Sequence, residues 1–214
     1  MRDAEKKDAA IRAVAEVRDG MLLGLGTGTT AAFVVTALAD RIRAEGLHVR
    51  TVATSERTAA LASANGIEVL PFENVSAVDL AIDGADEIDP ARRAIKGGGG
   101  ALFREKVVAA SAKRMIAVVD GSKSVEKLGR FPLPIEVVPF AAAFVLETIT
   151  KRFSAITPAW RSRFKTDQGN YILDLPFGAI DDPEALASEL AKIPGVLEHG
   201  LFLDEVDEVI VGHA

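Results

Sequence analysis

An α/β fold, a Rossmann-like parallel sheet with a smaller α+β domain inserted into it, is what the 214-residue sequence predicts. Three observations carry that expectation. Short apolar runs (MLL at 21, HVRTVAT, VDLAI and RMIAVV) each end in a polar or glycine-rich loop. Helix-period segments such as AAFVVTALADRIRAEG and TAALASANG stand between them. After Lys127 the pattern changes to extended, proline-rich and hairpin-like sequence. Strands that alternate with helices need right-handed crossovers and a parallel sheet, so their carboxyl ends share one edge. The loops 24–30, 54–58, 83–87 and 120–123 are therefore expected to line one crevice, where open parallel sheets hold ligands.

The elements follow in order. Residues 3–18 read as a helix with Ala10, Ile11, Val14, Ala15 and Val17 at helical spacing, closed by Arg18, Asp19 and Gly20. Four strand–loop units come next. FPLPIEVVP reads as extended, AAAFVLETITKRF as a helix, and FKTDQGNYILDL as two strands around Gln168, Gly169 and Asn170. A helix spans Pro183 to Lys192, and VDEVIVG returns to the first sheet. This grammar divides the chain into a catalytic domain, 1–129 plus 204–214, and a smaller α+β domain, 130–203.

Hydrophobic residues at 49% and charged residues at 26% describe a folded globular chain. Its longest apolar stretches, such as Ala31 to Ala39, fall short of the roughly 20 residues a membrane span needs. The amino end mixes charges and lacks a secretory core, so the chain is expected to begin near Met1. The absence of cysteine removes disulfides, thiolate metal sites and a cysteine nucleophile, and points to a cytoplasmic address. A net charge of −6 without a basic cluster, and only one Trp and one Tyr, argue against a nucleic-acid partner.

GLGTGTT, Gly24 to Thr30, stands between strand and helix, where glycine N–H groups and the helix start favour an anion, most simply a phosphate. Thr29 replaces the third glycine of G-x-G-x-x-G and no ribose-binding acid ends the next strand, which disfavours a dinucleotide. The same loop also reads as a tight turn without ligand. Asp83, Asp86 and Glu87 follow an apolar run where an uncompensated charge is expensive. They suit a solvated turn or a divalent metal, but Lys96 and Lys123, expected on the same crevice, neutralise them without one. Four glycines after Lys96 suit close approach of backbone to ligand, or a hinge. Glu105, early in the next helix, is placed as a positioned base or as a helix-dipole carboxylate. His48, His199 and His213 read as surface residues without a role.

Taken together and in register, GLGTGTT, TSERT, DGADEID, KGGGGALFREK, DGSK and LGRFPLPIEVVP closely resemble the ribose-5-phosphate isomerase A family. The resemblance implies an aldose–ketose isomerase that interconverts ribose 5-phosphate and ribulose 5-phosphate in the pentose phosphate pathway, without metal or cofactor. It implies that Glu105 is the base, that Asp83 helps open the furanose ring, and that Asp86 and Lys96 surround the reacting oxygens. Substrate contacts are implied at Thr27, Gly28, Thr29 and Thr30, at Asp83, Gly84, Ala85 and Asp86, at Lys96, Gly97, Gly98 and Gly99, and at Lys123. Lys6, with Lys7 adjoining, falls where a lysine lies near the phosphate. Thr29 stands where serine is frequent and Gly100 where alanine is an alternative. A homodimer or homotetramer is implied, with the smaller domain contributing to assembly. The competing readings are a sugar-phosphate sensor that binds without turnover and a nucleotide-dependent oxidoreductase.

Overall fold

The computed structural model of the protein describes Arg2–His213. In chain order its elements are α1 (Arg2–Ala15), β1 (Leu22–Leu25), α2 (Thr29–Glu45), β2 (Arg50–Ala53), α3 (Glu56–Ala64), β3 (Glu68–Val69) and β4 (Leu80–Gly84). Then come β5 (Glu87–Ile88), β6 (Ala94–Ile95), α4 (Leu102–Ala110), β7 (Met115–Val119), β8 (Leu133–Val137) and α5 (Ala142–Arg152). The chain ends with β9 (Ala159–Trp160), β10 (Tyr171–Leu175), α6 (Pro183–Ala191), β11 (Val196–His199), β12 (Leu201–Phe202) and β13 (Glu208–Val211). Two compact units result: Met1–Ala85, Arg104–Ser124 and Asp204–Ala214 form the first, Asp86–Phe103 and Val125–Leu203 the second.

Among the described residues the first unit holds a six-stranded sheet in the order β13-β7-β4-β1-β2-β3. Every neighbouring pair is parallel. The chain winds outward from β1 through β2 to β3, then returns to the other side of β1 with β4. The strand order therefore reverses between β1 and β4, and an open sheet parts its loops at such a switch point. The closing VDEVIVG supplies β13, which pairs with β7 as expected. In α1 the buried stripe is Ala9, Ala10, Ala13 and Val14, continued by Val17, while Ile11 is 51% exposed. The spacing places Ile11 and Ala15 on that stripe, but both are exposed, Ile11 lying about 100° around the helix from Ala10 and away from the core.

The second unit builds an antiparallel sheet, β11-β8-β10-β9, and a three-stranded sheet, β12-β6-β5. Its core joins Leu133, Ile135 and Val137 of β8 to Val145 and Ile149 of α5 and Leu186 and Leu190 of α6. Asp182 caps α6 by accepting from the Ala185 amide at 2.9 Å. Three expectations are corrected here. FKTD is not a strand: β10 pairs instead with Ala159–Trp160. Buried Glu136 takes the Thr166 hydroxyl at 2.8 Å and the Asn170 amide at 2.9 Å, side-chain bonds that hold residues 166–170 as a turn. His199 is not a surface residue, being only 9% exposed in β11. Residues 86–103, assigned by sequence to the catalytic domain, pack with the second unit because β5 pairs with β6 and β6 with β12.

Glu87 shows how one acid of the 83–87 cluster is used structurally. It is fully buried and accepts the amides of Gly129 and Phe131, each at 2.7 Å. Removing it leaves a buried and a partly buried donor unsatisfied. Glu87→Ala is expected to lower stability by about 3 kcal/mol in denaturant unfolding, and a loss under about 1 kcal/mol would contradict this role.

Candidate active site

In the first unit the switch point gathers the residues that the sequence reading singled out. Asp83, next to last in β4, is 4% exposed and takes two amides on Oδ1, from Thr27 at 3.0 Å and from Gly84 at 2.7 Å. The carboxylate lies where a Cβ of residue 26 would be, so only glycine fits there. The Thr58 hydroxyl donates to the Gly26 carbonyl at 2.9 Å, and the Thr27 and Thr54 hydroxyls are 2.7 Å apart. Ser55 caps α3 by accepting the Thr58 amide. The TSERT loop after β2 therefore braces the glycine loop after β1.

Gly28 precedes α2 and offers no side-chain cap. The amides of Thr29, Thr30 and Ala31 open the helix without intrahelical acceptors, a donor set suited to an anion. Lys6 reaches this loop from α1 and donates to the Thr29 hydroxyl at 3.1 Å. The loop after β7 adds a second cation. Asp120, 1% exposed, accepts the amide and hydroxyl of Ser122. Burial pushes the Asp120 carboxyl up, but Ser122, Lys123 and Lys6 outweigh it and hold the group below its ordinary 3.8. Lys6 and Lys123 thus both sit close enough to act on one buried carboxylate. The sequence reading gave Asp120 no role; the signal available was its place after an apolar strand, as with Asp83.

Glu105 belongs to the first turn of α4 and is 4% exposed. Its companions on the buried stripe are Leu102, Val108 and Ala109, at helical spacing. Val108 lies so close to β1 that Gly24 has no room for a side chain. One turn nearer the helix start, Glu105 occupies a position where an apolar residue belongs.

Asp86, Lys96 and the glycines belong to the second unit. Asp86 accepts the Gly98 amide at 2.6 Å, and a Cβ on Gly98 would come within 2.5 Å of that carboxylate. Lys96 is 2% exposed, its backbone amide donates to Gly200 at 2.9 Å, and its ammonium lies 5.3 Å from the centre of the Phe202 ring. Gly97 adopts φ +99°, and Gly99 is exposed. Within each unit, then, predicted residues meet: Thr27, Asp83 and Gly84 in the first, Asp86 and Gly98 in the second. Ala85 ends the first of the segments that make up unit 1. A cavity of about 540 Å³ in the second unit is lined by Trp160, Arg161, Phe164, Lys165 and Tyr171 among others, none of them predicted site residues. Among the described residues no group of three or more His, Asp or Glu is arranged to hold a metal, and no helix is long and apolar enough to cross a membrane.

Because its pKa is depressed in the folded state, Asp120 contributes stability above the unfolded value, and that contribution is lost as pH falls through the folded pKa. Asp120→Asn is therefore expected to unfold at lower urea concentration than wild type at pH 7, with the gap closing as pH drops below 3.8. A gap that persists unchanged in acid would contradict the assignment.

Comparison with known proteins gives the same picture over nearly the whole chain. Residues 50–214 match the family model of ribose 5-phosphate isomerase A (phosphoriboisomerase A). The ribose-5-phosphate isomerase A of Sphingopyxis alaskensis is 54% identical, over 97% of this chain and 92% of its own. The structure of the Methanocaldococcus jannaschii ribose 5-phosphate isomerase A superposes with a TM-score of 0.91 at 40% identity, covering 97% of this chain and 94% of that one. A D-ribose-5-phosphate isomerase solved in complex with phospho-erythronic acid gives 0.94 at 37% identity, covering 99% and 95%. With a parallel sheet whose strands end in GLGTGTT, TSERT, the start of DGADEID and DGSK, and with this identity across both units, the chain belongs to the ribose 5-phosphate isomerase A family.

Proposed function

We propose that the protein interconverts D-ribose 5-phosphate and D-ribulose 5-phosphate through a cis-enediolate, with Glu105 as the base and without metal or organic cofactor. The observation that carries this reading is the placement of Glu105, a carboxylate held rigidly on the buried face of α4. Such a base removes the C2 proton of the open-chain aldose; the electron pair forms the C1–C2 double bond and charge moves onto O1. A proton passes from O2 to O1, and Glu105 returns its proton to C1. A positioned base supplies about 10²- to 10⁴-fold, so donors aimed at the oxygens supply much of the rest.

The other roles are assigned residue by residue. Asp83, held by the Thr27 and Gly84 amides, takes the anomeric hydroxyl proton as the furanose opens. Asp86, oriented by the Gly98 amide, and Lys96 hold O1 and O2, with Gly97 and Gly99 bringing backbone of the same loop against them. The phosphate is received by Thr27, Gly28, Thr29 and Thr30 at the start of α2, with Lys6 and Lys123 as its cations, and Gly84 and Ala85 contribute backbone contacts. The relative solved with phospho-erythronic acid supports a phosphorylated sugar acid as a ligand of this family. Work in the non-oxidative pentose phosphate pathway follows from the reaction, and a cytoplasmic place from the absence of cysteine.

Ketose formation is expected from wild type in excess chelator, and Glu105→Gln should keep its melting temperature while losing about 10²-fold or more of kcat. Turnover in heavy water should place deuterium at C1 of the ketose. Full activity of Glu105→Gln would remove Glu105 from the mechanism; binding without turnover by wild type would make the protein a sensor. We also propose a homodimer or homotetramer, supported by Phe140 (fully exposed), Phe144, Val138 and Leu197 on the second unit. Light scattering should return a multiple of 22.6 kDa, and a monomer mass would overturn this part.

A further inference from the structure

We infer that Arg161, clamped by Asp174, is a positioning residue that sets the direction of the glycine-loop amides, an inference that rests on the isomerase reading above. Nε and Nη2 of Arg161 donate to the two oxygens of Asp174 at 3.0 and 2.6 Å, a planar fork on a carboxylate. The remaining arm, Nη1, donates to the carbonyls of Gly97 at 3.0 Å and Gly98 at 3.1 Å. One guanidinium therefore fixes two successive peptide planes.

In a trans peptide the C=O and the following N–H point in opposite directions. Turning the Gly97 carbonyl onto Arg161 sends the Gly98 amide away from it, and that amide meets Asp86 at 2.6 Å. Turning the Gly98 carbonyl onto the same arm aims the Gly99 amide away from Arg161 as well. The loop closes through the Gly100 amide on the Gly97 carbonyl at 2.9 Å, while the Phe164 ring fills the space a side chain at residue 100 would need. Upstream, Lys96 is tied by its amide to Gly200. The clamp itself stands on rigid backbone: Asp174 lies in β10, in register with Pro134 of β8 and Ala159 of β9, and the Arg161 amide donates to Ile172 at 2.9 Å.

Four successive glycines would otherwise sample many conformations, at about 1–2 kcal/mol of backbone entropy per residue ordered. Donors that stabilise developing charge work best when already oriented, so the ordering is done by Arg161 before substrate arrives. Lysine cannot replace it, because an ammonium is a point donor without the fork. Arg161 touches carbonyls on the side opposite those amides, which makes its role indirect.

The test compares Arg161→Lys and Asp174→Asn with wild type in kcat, KM, melting temperature and affinity for phospho-erythronic acid, whose planar carboxylate resembles the enediolate. Each variant is expected to lose about tenfold to hundredfold in kcat with KM nearly unchanged, as displaced donors do. Analogue affinity should weaken in step with kcat/KM, and the double variant should lose no more than the worse single one. A folded variant with wild-type kcat, or a loss confined to KM, would overturn the inference. Should Arg161→Lys fail to fold, Asp174→Asn, which keeps the side-chain shape, decides alone. An active wild type with unimpaired variants overturns only this inference, whereas an inactive wild type overturns the isomerase reading and this one together.

Discussion

Two backbone amides, those of Thr27 and Gly84, converge on a single oxygen of Asp83, and the arrangement of the first unit follows from keeping that buried charge satisfied. An isolated carboxylate in this position would cost several kcal/mol. Its donors come from the loops of β1 and β4, the strands on either side of the switch point, so one acid ties the two loops together. Bringing them that close requires a glycine at 26, and the buried Gly26 carbonyl is then taken by the Thr58 hydroxyl from the loop after β2. Three strand ends are thereby locked to one carboxylate, and the start of α2 inherits its place from them. Charge and backbone geometry are solved together: the same glycine that admits the acid lets the following residues begin a helix with open amides.

The sheet was legible in the sequence because its cause is local. Each of Leu22–Leu25, Leu80–Gly84 and Met115–Val119 is an apolar run short enough to be a strand and followed at once by polar residues, and parallel pairing forces their loops onto one edge. The site residues stood out for a related reason: an acid or a glycine run directly after a buried strand conflicts with propensity, and such conflicts concentrate where function lies. What escaped the sequence depends on distant partners. Strands of two residues such as β5, β6 and β12 carry no period to detect, and their pairing moves 86–103 into the second unit. Trp160, not the FKTD run, pairs with β10, because Glu136, 30 residues upstream of Thr166, offers that turn a better partner than a ladder. Arg161 and Gly97 are 64 residues apart, and nothing in either neighbourhood announces the other.

Glu87, Asp83 and Asp86 lie within five residues, yet each is satisfied differently, and this separates their uses. Glu87 takes two amides of the 129–131 loop and is structural. Asp83 is fixed through one oxygen by the loops on either side of the switch point. Asp86 holds the Gly98 amide, part of the loop that Arg161 orients from the other side. Composition alone makes the three equivalent; the identity of the donors distinguishes them.

Glu105 has a different logic, since it takes a place on an otherwise apolar stripe. Leu102, Val108 and Ala109 on the same stripe of α4 show what packing prefers, and a leucine at 105 would suit the helix better. The first-turn position offsets part of the cost, because the helix amino end favours a negative charge. The remainder is a stability deficit that the fold tolerates, as proteins do where activity sets the residue. Glycine at 24 fits this view: by letting Val108 come down against β1, it seats α4 closely on the sheet and fixes the height of the turn that carries Glu105. In the role we propose for it, as a base that exchanges one proton between adjacent carbons, Glu105 needs that fixed height more than it needs a favourable environment, because a displacement of about 1 Å can cost 10²-fold in rate.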